Sequence, residues 1–371
     1  MVNKMNILII TGSLYGGGTE KISVNLANFL YNAGFIVNVA VLKKNKITYD
    51  INKNISIYEL PSHKGNDVKS LFNEIYYSYL DYLSLKKIIK KNNIENVISF
   101  CTLPSILFLL LTTKIKIISS KRNYPPKSSF IKTFIEKQIF NCSKYIVFQT
   151  SEQMNFYSIN IIKKGVIIPN PISSNLPKPY NGSRKKEIIT FCRINKQKNL
   201  FMLIDGFINF YFANPEYKLT IYGNYSHKDN PYKNQLDEYI IKTKMENIIT
   251  LKDFNNNIHN IVIDCACFVL TSDYEGLSNS MLEAMAIGLP VICTDCKGGG
   301  AREYIDNYIN GILIPINDRR ELVKALNFII ANPEKAQKMG EKATEINELL
   351  SNDLIFSKWI NLLNEPFPKL G

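Results

Sequence analysis

Two glutamates, Glu275 and Glu283, stand eight residues apart in TSDYEGLSNSMLEAMAIGLPVICTDCKGGGAREYIDNYING, residues 271–311. A carboxylate is a strong acceptor for hydroxyl groups. Two carboxylates spaced by about the length of a diphosphate can therefore hold both ends of a sugar nucleotide. The flanking pattern says how they are carried. The apolar run Cys267 to Leu270 reads as a buried strand and Ser272 to Gly276 as the turn that leaves it. Ser278 or Asn279 can cap a helix through Ile287, ended by Gly288 and Pro290. Glu275 then lies in the loop and Glu283 in the helix, with the free N–H groups of the helix N-terminus between them as a seat for phosphate.

A second pair of candidates is cationic. The strand Glu187 to Cys192 ends in Arg193, and Lys198 stands just before a helix from Asn199 with Leu200, Leu203, Ile204 and Phe207 on one face. Both cations can converge on one anion, backed by helix N–H groups. At the start of the chain, the strand Asn6 to Thr11 runs into Gly12-Ser-Leu-Tyr-Gly-Gly-Gly18, and Thr19 caps a helix. The G-x-G-x-x-G of a dinucleotide fingerprint is absent, and a phosphate-binding P-loop is incomplete because Gly18 occupies the lysine position. Backbone free to approach a ligand remains.

Strands at Ile36–Leu42, Asn96–Cys101, Ile115–Ser119, Tyr145–Gln149 and Val166–Pro169, with a helix over Leu80–Lys91, give the alternation of an α/β, doubly wound parallel sheet. Pro125 and Pro126 keep Lys121, Arg122 and Asn123 in a loop at a strand's carboxyl end. A helix from Ser128 follows, with Phe130, Ile131, Phe134, Ile135 and Ile139 among lysines. Composition shifts at Asn170-Pro171, which puts a domain boundary near residue 170. Strands at Lys218–Gly223, Ile248–Phe254 and Cys265–Leu270 continue the alternation beyond it.

The chain's 371 residues suit two domains, and its hydrophobic content of 46% suits globular cores. No signal peptide or span of ~20 apolar residues is evident, which points to the cytoplasm. The net charge of +13 implies an anionic partner. No nucleic-acid motif accompanies it, so phosphate and an anionic membrane surface rank above nucleic acid. The seven cysteines include C-x-x-C at Cys293 and Cys296, but Cys265, Cys267 and Cys293 lie in or beside apolar strands and behave as small hydrophobes. No D-x-D pair occurs anywhere, which disfavours a metal.

EGLSNSMLEAMAIGLPVICTD, the glycine-rich turn after it and REYI…NYINGILI closely resemble the E-x7-E segment of the family 4 retaining glycosyltransferases, of GT-B fold. R-x4-K at Arg193 and Lys198, G-G-x-E at Gly17 to Glu20, Pro-Asn-Pro at the linker and the last helix around Trp359 resemble the same family. The resemblance implies two Rossmann-like domains facing a cleft. An acceptor domain would span 1–170, with a terminal helix in 352–371 packing back on it, and a donor domain 171–351. It implies Arg193, Lys198 and Glu275 as catalytic, with Gly17, Gly18, Leu277, Ser278, Asn279 and Glu283 binding the donor and Arg122 and Asn123 the acceptor. The expected reaction transfers a sugar with retention from a nucleotide sugar, most often a UDP-sugar. No cofactor or metal is expected. A lipid-linked glycan acceptor at the inner face of a bacterial membrane would make the enzyme peripheral there. A UDP-sugar 2-epimerase of the same fold and a non-catalytic nucleotide-sugar-binding subunit are the alternatives. The histidine that many relatives carry on the acceptor side is absent.

Overall fold

A computed structural model describes residues 5–14, 18–42, 49–61, 71–124, 130–173, 175–224 and 230–365. The chain divides into two compact units, Met1–Asn170 with Asp353–Gly371, and Pro171–Asn352.

The first unit is built on seven strands: β1 (Asn6–Thr11), β2 (Ile36–Val41), β3 (Ser56–Glu59), β4 (Asn96–Ser99), β5 (Lys116–Ser120), β6 (Tyr145–Phe148) and β7 (Gly165–Ile167). They pair in parallel in the order β3-β2-β1-β4-β5-β6-β7. Strands buried on both faces must be apolar nearly throughout, and NILIIT and YIVF are. Leu8, Ile10, Val97, Ile117 and Phe148 share one core with Leu85, Ile88 and Leu109 from the covering helices.

The second unit repeats the plan with β8 (Lys185–Arg193), β9 (Lys218–Asn224), β10 (Ile249–Asp253), β11 (Cys265–Leu270), β12 (Val291–Thr294) and β13 (Ile312–Ile314). Their order is β10-β9-β8-β11-β12-β13, again parallel. Ile188, Ile221, Cys267, Val269 and Ile292 meet Leu203, Phe207, Leu322 and Leu326 in its core. In each sheet the direction of winding reverses beside the first strand, at β1/β4 and at β8/β11. Loops leaving the carboxyl ends of the strands splay apart there and leave a crevice for ligand.

The doubly wound α/β class is as the alternation implied, with differences in extent. The helix expected over Leu80–Lys91 runs Leu71–Lys91. Its first half is rich in Tyr, Ser and Asn, poor helix formers, and exposes Tyr76 and Tyr79 while Tyr82 and Leu85 are buried. The edge strand β3 escapes the pattern because it is four residues long and only half covered. The helix expected from Ser128 runs Phe130–Cys142; Ser128 itself, with Pro125 and Pro126, lies outside the described residues.

The last helix, Asn352–Asn364, belongs to the first unit. Its Phe356 packs on Phe29 with ring centroids 5.1 Å apart, and its fully buried Trp359 packs on Phe100 at 5.8 Å. Lys116 reaches the helix end from β5, donating to the carbonyls of Leu362, Leu363 (2.9 Å) and Glu365 (3.2 Å). A cation there satisfies carbonyls that have no partner within the helix and opposes its dipole. Trp359→Ala is expected to cost about 3–5 kcal/mol, the usual loss for a large buried aromatic, read as a lower midpoint in urea denaturation. A loss below ~1 kcal/mol would mean that this helix contributes little to the first unit.

Candidate active site

The site is assembled at the β8/β11 reversal. Arg193 is the last residue of β8. The chain then makes a 3-10 turn, Lys196–Lys198, and Asn199 adopts a left-handed conformation (φ 44°, ψ 51°) from which its side chain caps the helix Leu200–Tyr211. Asparagine tolerates that conformation better than most residues. Thr271, leaving β11, donates to the carbonyl oxygens of Lys198 (3.0 Å) and Asn199 (3.1 Å). These bonds fix the backbone that aims Lys198 inward.

The Lys198 side chain is 7% exposed and its ammonium pairs with Glu275 Oε1. Ser272 donates to the same oxygen at 2.8 Å. The turn carrying Glu275 is tied on both sides. Asp273 N donates to Gln197 O (2.9 Å), Gln197 Nε2 to Tyr274 O (2.8 Å), and Glu275 N to Lys297 O (2.9 Å). Burial pulls the Lys198 pKa down, but the attraction of Glu275 and the hydrogen bond to it outweigh that and the net shift is upward. The Arg193 charge is close enough to oppose that rise. The Arg193 guanidinium is exposed and makes no hydrogen bond or ion pair among the described residues.

Ser278 caps the helix Asn279–Ala286, its Oγ accepting from Met281 N at 3.4 Å. Ser278 and Leu277 are buried, while Asn279, Glu275 and Glu283 are half-buried. The approach to this helix is shaped by glycine. Gly298 and Gly299 take positive φ (101° and 71°), and a Cβ on Gly300 would stand 2.1 Å from Gly276 O. The turn at 298–300 therefore lies directly on the Glu275 loop, and only a bare Cα fits.

Arg193, Lys198, Glu275, Leu277, Ser278, Asn279 and Glu283 all sit on the second unit at the segments that follow β8 and β11. Gly18 is the exposed first residue of the helix Gly18–Asn32, and Gly17 lies outside the described residues. Asn123 is exposed in the loop after β5. Arg122, expected to meet an acceptor phosphate, is instead 8% exposed. It donates to Ile168 O (3.3 Å) and Asn170 Oδ1 (3.0 Å), with its guanidinium carbon 5.3 Å from the Phe100 ring centroid and 5.5 Å from that of Trp359. Those contacts give it a packing role.

One polar contact had no signal in the sequence. His259, in the short helix Ile258–Val262, lies 3.1 Å from Glu283. The histidine belongs to no motif, and only the crossover from β10 brings it there.

Known proteins resemble the chain in sequence and in fold. Residues 174–346 match the family model "Glycosyl transferases group 1". An uncharacterized glycosyltransferase of Haemophilus influenzae is 26% identical over 362 residues, 94% of this chain and 96% of the relative. The N-acetylgalactosamine-N,N'-diacetylbacillosaminyl-diphospho-undecaprenol 4-alpha-N-acetylgalactosaminyltransferase of Campylobacter jejuni is 24% identical, covering 92% of this chain and 94% of the relative. Among solved structures, sucrose-phosphate synthase from Thermosynechococcus elongatus superposes with a TM-score of 0.84 at 17% identity, over 97% of this chain and 98% of the other. HepE of Anabaena, solved in complex with UDP and glucose, superposes at 0.82 and 17% identity, over 98% of this chain and all (100%) of the other. The fold is GT-B, and the match to the group 1 glycosyltransferases lies within the second unit.

Gly300→Ala tests the contact between the two loops. The forced separation is expected to cost about 1–3 kcal/mol, as other overpacking substitutions do, seen as a lower urea midpoint with unchanged slope. An alanine variant as stable as wild type would mean that the two loops do not touch.

Proposed function

We propose that the protein transfers a sugar, with retention of anomeric configuration and without a metal, from a UDP-sugar to a lipid-linked glycan in bacterial surface-glycan synthesis. The observation that carries this reading is the pairing of a buried, oriented Lys198 with a carboxylate beside an Arg193 that is unpaired among the described residues, all next to a capped helix N-terminus. As the anomeric C–O bond breaks, the nucleoside diphosphate leaves with additional negative charge. Fixed cations and helix N–H groups stabilise that charge without reorganising. Arg193 and Lys198 take the diphosphate, with Ser278 at the helix start beside it. Glu275 holds sugar hydroxyls and Glu283 the ribose. The acceptor hydroxyl attacks from the face the diphosphate leaves, and its proton goes to the departing phosphate oxygen. No enzyme nucleophile takes part.

The donor and acceptor classes draw support from relatives. HepE was solved with UDP, and the name of the Campylobacter enzyme specifies a diphospho-undecaprenol-linked acceptor. If the mechanism holds, Arg193→Ala and Lys198→Ala each lower kcat by roughly 10²–10³ in a transfer assay run in EDTA, as removal of other preorganised donors does. Near-normal turnover in both variants would sink it, and activity that vanishes in EDTA would sink the metal-free claim.

The first unit supplies a surface suited to an anionic membrane. Phe130 (86% exposed), Ile131 and Phe134 project from the helix Phe130–Cys142, and Leu111 (67% exposed) from the neighbouring helix Pro104–Thr112. Tyr76 and Tyr79 add to them from the helix Leu71–Lys91, among exposed lysines 86, 87, 90, 91, 114, 132 and 137. Among the described residues no helix is long and apolar enough to cross a membrane. Exposed apolar side chains and exposed lysines on these segments suit peripheral attachment instead. The protein is expected to sediment with vesicles containing anionic lipid at low salt and to be released as salt screens the lysines. No sedimentation at low salt would refute the attachment.

A further inference from the structure

Glu283 does not hold its pose alone. His259 Nε2 lies 3.1 Å from Glu283 Oε2, and the two side chains are 17% and 18% exposed. The imidazole is itself braced. It stands edge-on to Phe191, centroids 5.7 Å apart at 87°, and Phe191 packs on Phe268 at 4.8 Å. Phe191 lies on β8 two residues before Arg193, and Phe268 lies on β11, the strand that leads to Glu275. The chain of contacts therefore ties the Glu283 carboxylate to the two strands that carry the rest of the site.

An ionised carboxylate only accepts hydrogen bonds, so the imidazole must be the donor, with the proton on Nε2. One of the carboxylate's roughly four lone-pair positions is then occupied. A glutamate side chain loses rotamer freedom when it is fixed. Where a neighbour fixes it in the folded protein, that loss no longer opposes ligand binding.

We infer that His259 is a positioning residue of the nucleotide site, donating Nε2–H to Glu283 so that the carboxylate is already set to receive the ribose hydroxyls of a nucleoside diphosphate. This rests on the reading above in which Glu283 takes the ribose. It adds a residue that no motif contains and assigns its tautomer.

The experiment is calorimetric titration of the full chain with UDP, with donor KM and kcat measured alongside. Glu283→Gln is expected to weaken UDP strongly. His259→Leu, which keeps apolar bulk without the donor, weakens it about tenfold, the scale of one lost hydrogen bond. His259→Gln carries a donor where Nε2 was and restores binding to within about threefold of wild type. His259→Asn, whose donor falls at the Nδ1 position, does not restore it. In the leucine variant KM rises while kcat stays within about twofold, because the contact is made equally in ground and transition states. His259→Leu adds nothing to Glu283→Gln, since the two act through one contact. Wild-type binding by the leucine variant, failure of the glutamine variant to recover while it melts like wild type, or additive losses each overturn the inference and leave the role of Glu283 standing. UDP binding that is indifferent to Glu283→Gln overturns the ribose assignment, and this inference with it.

Discussion

The ammonium of Lys198 lies where water hardly reaches, and a charge in such a place must be paired or lost. Its partner, Glu275, arrives from the far side of the β8/β11 reversal. Side-chain hydrogen bonds among residues 197–199 and 271–275 hold that meeting in position: Thr271 donates to the Lys198 carbonyl, Gln197 to the Tyr274 carbonyl, and Ser272 to the carboxylate. A pair held so firmly adds little net stability compared with an apolar substitute. Its value is orientation. In the proposed mechanism, an anion placed between Lys198 and Arg193 gains a cation already desolvated and aimed.

The strand order explains why the meeting falls where it does. In both sheets the first strand lies inside, flanked by the second and the fourth. Crossovers to either side leave along opposite faces, and their loops part at the carboxyl ends. On the second sheet those loops are the Arg193–Asn199 and Thr271–Ser278 segments. The glycine turn at 298–300, following β12, closes over the second of them. The site's residues are far apart in sequence because parallel strands need long crossovers, and close in space because the two strands are neighbours.

Much of this was legible in the sequence. Buried parallel strands leave short, almost wholly apolar runs, so VICT and CACFVL could be recognised directly, and Ser278 announced its helix by residue type. The contacts that escaped come from packing between elements. Nothing in Ile258–Val262 distinguishes His259 from a surface histidine. Its role appears only when the helix after β10 lies over β8 and meets Glu283. The edge strand β3 was missed for the opposite reason. An edge strand is covered on one side at most, so its composition carries little of the apolar signal that marks the centre of a sheet.

Arg193 and Arg122 show where such reading stops. Each stands at or just beyond the carboxyl end of a parallel strand, and each is the kind of residue that meets phosphate. Arg193 emerges beside Lys198, with a like charge for a neighbour and no carboxylate among the described residues to pair with it. Arg122 emerges beside Phe100, at the end of β4, and Trp359, which arrives on a helix from the end of the chain. Guanidinium is weakly hydrated and stacks on aromatic faces more readily than ammonium does. The two rings cover it, and two of its nitrogens have no oxygen partner among the described residues. Position at a strand end therefore does not decide what a cation meets, and a ring that covers Arg122 comes from 237 residues away in the sequence.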